Sequence, residues 1–307
     1  MPFSWTAGDS PRFLGMTFDA FMDSAWNDHG DRPQEVADRL AASLSMVQSP
    51  EHIPPFARLV THVFGEHLGR WQRGIELLEA MRSLPAFDGS AAVAGALTRS
   101  RATLSYASGD DSALASLAHE DCVCVLAAAA TAFAGRNEFK QAVTAYGGAL
   151  QLASSGLPKE SLANRALAVG GNNLAAALET KKDRSASETD GMVLAAKGGL
   201  KYWKLAGTWL EEERAEYRLA RSLLQAGEPR AAIESATRCI HICKANGASA
   251  FEEFFGYAAL ALAQRDTGDG RSFEASRQCA LVLSEQVPPD EKRWCESTVA
   301  ELRSPPM

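Results

Sequence analysis

The sequence predicts an all-α protein in which antiparallel helix pairs stack side by side. Apolar residues recur at spacings of three and four along most of the 307 residues, and no stretch of useful length alternates as a strand does. The pattern is clearest in residues 213–243, where one apolar stripe includes Leu219 and Leu223. It stops at residues 227–229, Gly-Glu-Pro, and a second stripe runs through Ala232, Ile233, Ala236, Cys239 and Ile240. Such a pair keeps apolar surface on its outer side, so it must pack against neighbouring pairs.

This order of small and apolar residues resembles a tetratricopeptide repeat. The offsets that carry the resemblance are those of Leu219, Ala220, Leu223, Gly227, Ala232, Ala236 and Cys239. A second copy spans residues 126–150, with Phe133 before the turn and Tyr146 after it. Residues 172–175, Asn-Asn-Leu-Ala, are similar to the first helix of the longer repeats in kinesin-light-chain-like and peptide-sensing proteins. The spacing between copies is irregular, and the tryptophan-first signature of the family is missing.

The resemblance covers about residues 54–287 and implies a right-handed superhelical array of helix pairs. Residues 1–53 are then expected to form a loose arm and two capping helices. Residues 288–307 are expected to form a C-terminal capping helix and tail. Both caps are expected because a stack of repeats has two apolar ends that must be covered.

Composition excludes several classes of function. The net charge is −7, which argues against a general binder of nucleic acid or of anionic membranes, since both need a basic surface. The N-terminal residues lack the charged and apolar regions of a signal peptide, and the longest apolar run, residues 122–134, is too short to span a bilayer. Six cysteines without the spacing of a small secreted framework favour a reducing, cytoplasmic location.

One pair of residues suggests metal chemistry. His62 and Glu66 lie four residues apart on a predicted helix, so with a third ligand they could bind zinc. In an α-helix His67 would point about 100° away from Glu66, and the order of residues is not that of an H-E-x-x-H motif. A solvated polar surface is the favoured interpretation, and we predict neither a metal nor another cofactor.

Cysteines and glycines give no stronger chemical signal. Cys239 and Cys243 also lie four residues apart, and with Cys279 and Cys295 they could form a four-thiolate site, although burial as small apolar residues is favoured. The glycine pairs at 147–148, 170–171 and 198–199 neither follow a strand nor fit a phosphate-binding loop, so we expect them to allow close helix packing. No nucleophile and base can be picked out, and we predict a protein that is not an enzyme.

The resemblance also implies a binding site. In tetratricopeptide arrays the first helix of each pair lines a concave groove that receives an extended peptide. Carried over residue by residue, this gives Arg99, Asn172, Asn173, Arg214, Tyr217, Arg218 and Arg221 as peptide-binding residues. The Asn172 amide offers both a donor and an acceptor to a peptide backbone.

The three arginines on the last of these helices need negative charge nearby. Arg214, Arg218 and Arg221 recur at i, i+4 and i+7, where their mutual repulsion is unfavourable. An acidic ligand could offset it, or internal carboxylates could. The candidates for internal partners are Glu211, Glu212, Glu213 and Glu216, and internal ion pairs are the favoured interpretation.

The leading hypothesis is therefore a non-enzymatic scaffold that captures a protein or peptide segment with acidic groups. An alternative is a metal-dependent enzyme that uses His62 and Glu66. A third hypothesis is a structural subunit that forms a homodimer through the first predicted helix, whose aromatic residues are Phe18, Phe21 and Trp26.

Overall fold

The computed structural model describes residues 15–304, and in this part of the chain all regular secondary structure is helical. The predicted N-terminal arm, residues 1–12, lies outside the described residues. The chain divides into two compact units, Met1–Leu117 and Ala118–Met307. The predicted domain boundaries at residues 53 and 287 stay predictions.

In residues 15–117, the described part of the first unit, five α-helices pack around one apolar core. They are α1 (Phe18–Asp28), α2 (Pro33–Ala42), α3 (Ile53–Val60), α4 (Trp71–Met81) and α5 (Ala91–Ala107). The Thr17 hydroxyl caps α1 by accepting a hydrogen bond from the Ala20 backbone N–H at 3.2 Å. Phe21 is fully buried in the core, and Phe18 and Trp26 pack against it. The aromatic side of α1 thus packs inside this unit, and the homodimer stays a prediction from the sequence.

A π-helix, Thr61–His67, continues directly from α3. Its wider turn places residues five apart on one side, and the Nε2 atoms of His62 and His67 lie 3.1 Å apart. The expectation that His67 points away was wrong because it assumed α-helical geometry. Gly65 lies inside this segment, where a Cβ atom would come within 3.0 Å of the Leu104 side chain and 3.2 Å of Trp71. The missing side chain lets both residues pack against the π-helix.

The second unit contains nine described α-helices, which begin and end as follows: α6 (His119–Gly135), α7 (Phe139–Ala153), α8 (Leu162–Thr180), α9 (Ala186–Ala206), α10 (Trp209–Gln225), α11 (Pro229–Asn246), α12 (Ala250–Asp266), α13 (Gly270–Gln286) and α14 (Lys292–Arg303). The first eight pack as four consecutive pairs, and α14 packs on the last pair. The predicted all-α fold of consecutive helix pairs is confirmed in residues 15–304. The pair predicted from residues 213–243 is α10 and α11.

Turn and cap residues explain where these helices begin and end. Gly227, between α10 and α11, has a φ of 75°, and Asn137, between α6 and α7, has a φ of 61°. Both angles belong to the left-handed region that glycine and asparagine tolerate best. The α10 helix begins with a capping box, in which Thr208 and Glu211 satisfy each other's backbone N–H groups.

The first helix of each pair also contacts the first helix of the next pair, and the first helix of the last pair contacts α14. α6 contacts α8, α8 contacts α10, α10 contacts α12, and α12 contacts α14. They form one continuous row, which we call the inner row. α10 lies in the middle of this row, so its side chains can reach helices on both sides.

Candidate peptide-binding site

The three arginines of α10 each bind a carboxylate from a different helix of the inner row. Arg214 Nε lies 3.2 Å from both carboxylate oxygens of Glu252 on α12. Arg218 Nη1 donates to Glu179 Oε2 on α8 at 2.6 Å, and the equivalent bond from Arg221 reaches Glu301 on α14 at 3.0 Å. Internal ion pairs therefore do offset the repulsion among the arginines, and they link four helices.

The sequence pointed to other partners for these arginines. Of the four glutamates on α10 that were expected as partners, only Glu213 approaches one of these arginines, and its Oε1 atom lies 3.8 Å from Arg214 Nε. Glu211 caps the helix, and Glu212 and Glu216 lie 3.6 and 3.3 Å from Lys204 on α9. The partners actually used lie 38 to 80 residues away along the chain. No local spacing could have identified them.

The arginines keep some capacity for another ligand. The Arg214 side chain is 55% exposed despite its ion pair, whereas Arg218 and Arg221 are 24% and 17% exposed. Arg218 Nε also makes no hydrogen bond within the described part of the chain, but it is buried and therefore not open to a ligand. Because a guanidinium carries five N–H donors, one carboxylate does not saturate it.

A cavity of about 540 Å³ opens beside the last of the three arginines. It is lined by side chains of α10, α12 and α14. These include Arg221, Leu224, Leu262, Arg265, Asp266 and Glu301. Its lining combines two cations, two anions and the apolar side chains of two leucines.

Tyr217 and the two asparagines differ in accessibility. The Tyr217 ring packs 5.3 Å from the ring of Phe255, and burial raises the pKa of its hydroxyl. On α8, Asn172 is half-buried and Asn173 is exposed. The Asn172 amide makes no hydrogen bond to any other residue that the structure describes. Arg99, the remaining predicted residue, is half-buried on α5 of the first unit.

A buried cluster behind Arg214 was not predicted. The Cys239 and Cys243 thiols of α11 lie 3.2 and 3.6 Å from Glu213 Oε2, where each can donate a hydrogen bond. Glu213 is 1% exposed, and burial raises the pKa of its carboxyl to about 10. The carboxyl is therefore protonated at neutral pH. Glu213 occupies the apolar stripe of α10, and a charged residue type at such a position is the signal that could have revealed it.

The four-thiolate site, which was the less favoured interpretation of the sequence, is not assembled. Among the described residues, Cys239 and Cys243 share a set of closely spaced metal-binding atoms with Glu213, and not with the other two cysteines. Cys279 is exposed, and Cys295 belongs to a separate apolar cluster with Phe254. To hold a metal, this cluster would have to lose the protons of both thiols as well as that of Glu213.

His62 and Glu66 do meet as their spacing suggested. Glu66 Oε2 lies 2.7 Å from His62 Nδ1. His67 and His29 complete a group of three imidazoles, and burial lowers the pKa of His67. No sequence spacing pointed to His29, because His29 lies at the end of α1 and the other two histidines lie in the π-helix.

The glycine pairs at 170–171 and 198–199 lie at close helix contacts, as expected. A Cβ atom on Gly171 would lie 2.5 Å from the Ala195 carbonyl oxygen and 2.7 Å from the Gly199 nitrogen. Gly147, by contrast, has open space around the position of a Cβ atom.

Two comparisons with known proteins give no match: no family model and no curated protein is similar to this chain. A search of solved structures finds a chain described as a Podosopora anserina putative kinesin light chain with nearly identical TPR-like repeats. It is 14% identical, with a TM-score of 0.47, and the match covers 77% of this chain and 96% of that one. None of the helices in residues 15–304 combines the length and apolar character needed to cross a bilayer.

Proposed function

We propose that the second unit is a non-enzymatic scaffold whose inner row captures an extended protein segment with acidic groups. The observation that carries this proposal is the arrangement of Arg214, Arg218 and Arg221 along one side of α10. A segment running across the inner row would meet all three. Its carboxylates would bind donors that the internal glutamates leave unused, and they would compete for the others.

The ion pairs do not prevent such binding. Arg214 is more than half exposed, whereas its partner Glu252 is only 11% exposed. A ligand carboxylate would therefore bind the exposed N–H donors of Arg214 that Glu252 leaves unused, while the buried Glu252 keeps its ion pair, since a buried carboxylate without a partner is costly. Binding should weaken as the salt concentration rises, because dissolved ions screen exposed charge pairs.

Neighbouring groups on α8 suit the rest of an extended segment. The half-buried Asn172 amide can donate to and accept from a peptide backbone. Leu162 and Val169 lie seven residues apart on one side of α8 and are 64% and 37% exposed. They offer apolar contacts to ligand side chains beside the polar ones.

The test uses a fluorescent oligoglutamate peptide and the full chain. Binding is measured by fluorescence anisotropy for the wild type and for a double variant, Arg214→Gln with Arg221→Gln. The matched control is Arg238→Gln on α11, since Arg238 is 47% exposed and also pairs with a buried glutamate, Glu216. Glutamine keeps part of the hydrogen bonding and avoids the repulsion that a new carboxylate would create.

We expect the double variant to bind the peptide at least about tenfold more weakly, which corresponds to about 1.4 kcal/mol, and the control to bind as the wild type does. A peptide of alternating glycine and serine should not bind. Equal affinity of the double variant and the wild type, with unchanged helical circular dichroism, would reject the assignment. Capture from native lysate with the same variants, followed by mass spectrometry, would then identify the natural partner. The cytoplasmic location stays a prediction from the sequence.

A further inference from the structure

Three histidines of the first unit meet beside the π-helix. His29 follows the last residue of α1, and His62 and His67 lie near the two ends of the π-helix. Each offers a ring nitrogen within 4.8 Å of those of the other two. The ring centroids of His62 lie 4.8 Å from His29 and 4.7 Å from His67, and His29 and His67 are 5.2 Å apart. The three rings therefore surround one point.

The hydrogen bonds on the outer nitrogens orient these rings. His62 Nδ1 bonds to the Glu66 carboxylate at 2.7 Å, and His29 Nδ1 bonds to the backbone carbonyl of Trp26. If each Nδ1 carries the proton that it donates, each Nε2 keeps an open lone pair. His67 Nε2–H can then donate to the lone pair of His62 Nε2 at 3.1 Å, and a bound metal ion would take the place of that proton.

We propose that His29, His62 and His67 bind one divalent transition-metal ion of the Zn²⁺ type through their Nε2 atoms. Zinc–nitrogen bonds of about 2.0–2.1 Å in tetrahedral geometry place two ligand nitrogens about 3.3 Å apart. The 3.1 Å separation of the His62 and His67 nitrogens is close to that value. The ring nitrogens of the three histidines already lie within 4.8 Å of one another, so a small adjustment of the His29 side-chain torsion angles, with Nδ1 still bonded to the Trp26 carbonyl, completes the set.

Glu66 has a different role from the one that its spacing suggested. Its carboxylate binds His62 Nδ1, so it holds and polarises a ligand and does not itself face the metal position. A carboxylate or a backbone carbonyl behind a ligating histidine is the usual arrangement at metal sites. Here the Glu66 carboxylate lies behind His62, and the Trp26 carbonyl lies behind His29.

The surroundings limit access of water without closing the site. The His62 and Glu66 side chains are 22% and 21% exposed, and the Trp26 ring lies 5.2 Å from both His62 and His29. The Arg58 guanidinium lies over the Trp26 ring, 5.2 Å from the ring centroid. Three imidazoles leave a fourth position for water or for a ligand atom, and imidazole sets of this kind favour zinc, copper, nickel or iron over magnesium or calcium.

The π-helix gives an independent reason to expect function here. An α-helix would separate His62 from His67, so the rarer geometry is what brings the two nitrogens together. π-Helical segments are frequent at functional sites. Packing of Leu104 and Trp71 against Gly65 holds the segment in this form.

The test titrates metal-free, untagged full-length protein with Zn²⁺ by calorimetry and with Co²⁺ by visible absorption. We expect one equivalent of Zn²⁺ to bind and Co²⁺ to give the intense visible bands of a tetrahedral site without thiolate charge-transfer bands. His62→Gln and His67→Gln should each weaken binding at least about a hundredfold. Glu66→Gln should weaken it about 10–100-fold, as loss of an outer partner does at other sites. His241→Gln, at an exposed position on α11, is the matched control and should change nothing.

Two results would overturn the site. One is the absence of stoichiometric binding to the wild type, and the other is unchanged binding in both His62→Gln and His67→Gln. A paired variant, Cys239→Ser with Cys243→Ser, shows whether metal enters the second unit instead. Loss of binding in that variant alone would also reject the three-histidine site. Circular dichroism tests whether each variant is folded. If His62→Gln or His67→Gln is unfolded, His29→Gln is used in its place.

Discussion

The guanidinium of Arg218 on α10 lies 2.6 Å from the carboxylate of Glu179 on α8, and the Ser222 hydroxyl donates to the same carboxylate at 2.8 Å. Both charged side chains are largely buried, at 24% and 10% exposure. Burial raises the pKa of Glu179, although Arg218 acts in the opposite direction. The pair thus specifies how two helices of the inner row meet, at a considerable desolvation cost.

Breaking this pair should destabilise the protein, and replacing both members should restore much of the loss. We expect Glu179→Leu or Arg218→Met alone to lower the free energy of unfolding by about 3 kcal/mol, because each leaves a buried polar group unpaired. The variant with both changes should recover part of that. Urea unfolding of the four proteins gives the coupling energy, for which we expect about 1–3 kcal/mol. Strictly additive losses would mean that the two side chains do not act as a pair.

The buried carboxyl of Glu213 predicts a distinctive dependence of stability on pH. Burial raises its pKa to about 10, whereas in the unfolded chain it titrates at about 4.3. Between these values the folded state binds the extra proton, so the contribution of Glu213 is fully present below the unfolded pKa and is lost as pH rises. Glutamine accepts the same thiol hydrogen bonds and cannot ionise.

We therefore expect Glu213→Gln to gain stability relative to the wild type as pH increases from 5 to 8, by up to about 1.4 kcal/mol per pH unit. Urea unfolding at intervals of one pH unit measures this slope. The control is Glu234→Gln on α11, whose side chain is 74% exposed, and it should run parallel to the wild type. Parallel curves for Glu213→Gln would show that its carboxyl is ionised in the folded protein.

The sequence predicted those features that depend on local physics. The α10–α11 pair follows from helical periodicity and from Gly227, whose φ of 75° few other residues adopt. The close helix contact at Gly171 was also predicted. A glycine inside a helix lowers its stability, so it is expected mainly where packing leaves no room for a side chain.

Features that depend on distant parts of the chain were not predicted. Arg221 binds Glu301, 80 residues later, and no spacing rule relates the two. The π-helix is stabilised where Leu104 and Trp71 pack on Gly65, so its geometry arises from tertiary contacts. The meeting of His29 with the histidines of the π-helix has the same origin.

Tyr146 joins α7 to α8 through a buried hydrogen bond. Its hydroxyl donates to the Leu167 carbonyl at 2.8 Å, and the side chain is 1% exposed. We expect Tyr146→Phe to cost about 1 kcal/mol, the usual net value of one hydrogen bond. Tyr146→Ala should cost about 3–5 kcal/mol, because it also leaves a large cavity. Urea unfolding measures both, and equal losses would assign the whole effect to the hydroxyl.

Gly171 and Gly147 form a matched pair of helical glycines with opposite expected effects. An alanine at Gly171 would place its Cβ 2.5 Å from the Ala195 carbonyl oxygen and 2.7 Å from the Gly199 nitrogen, and these backbone atoms cannot move without separating α8 from α9. We expect Gly171→Ala to lower the free energy of unfolding by about 3 kcal/mol.

At Gly147 an added Cβ meets nothing within 4 Å, so alanine acts there only through helix propensity. We expect Gly147→Ala to raise the free energy of unfolding by about 1 kcal/mol. Thermal and urea unfolding of both variants measure the contrast. Similar effects of the two substitutions would mean that α8 and α9 can separate at little cost. The close contact at Gly171 would then not determine how these two helices pack.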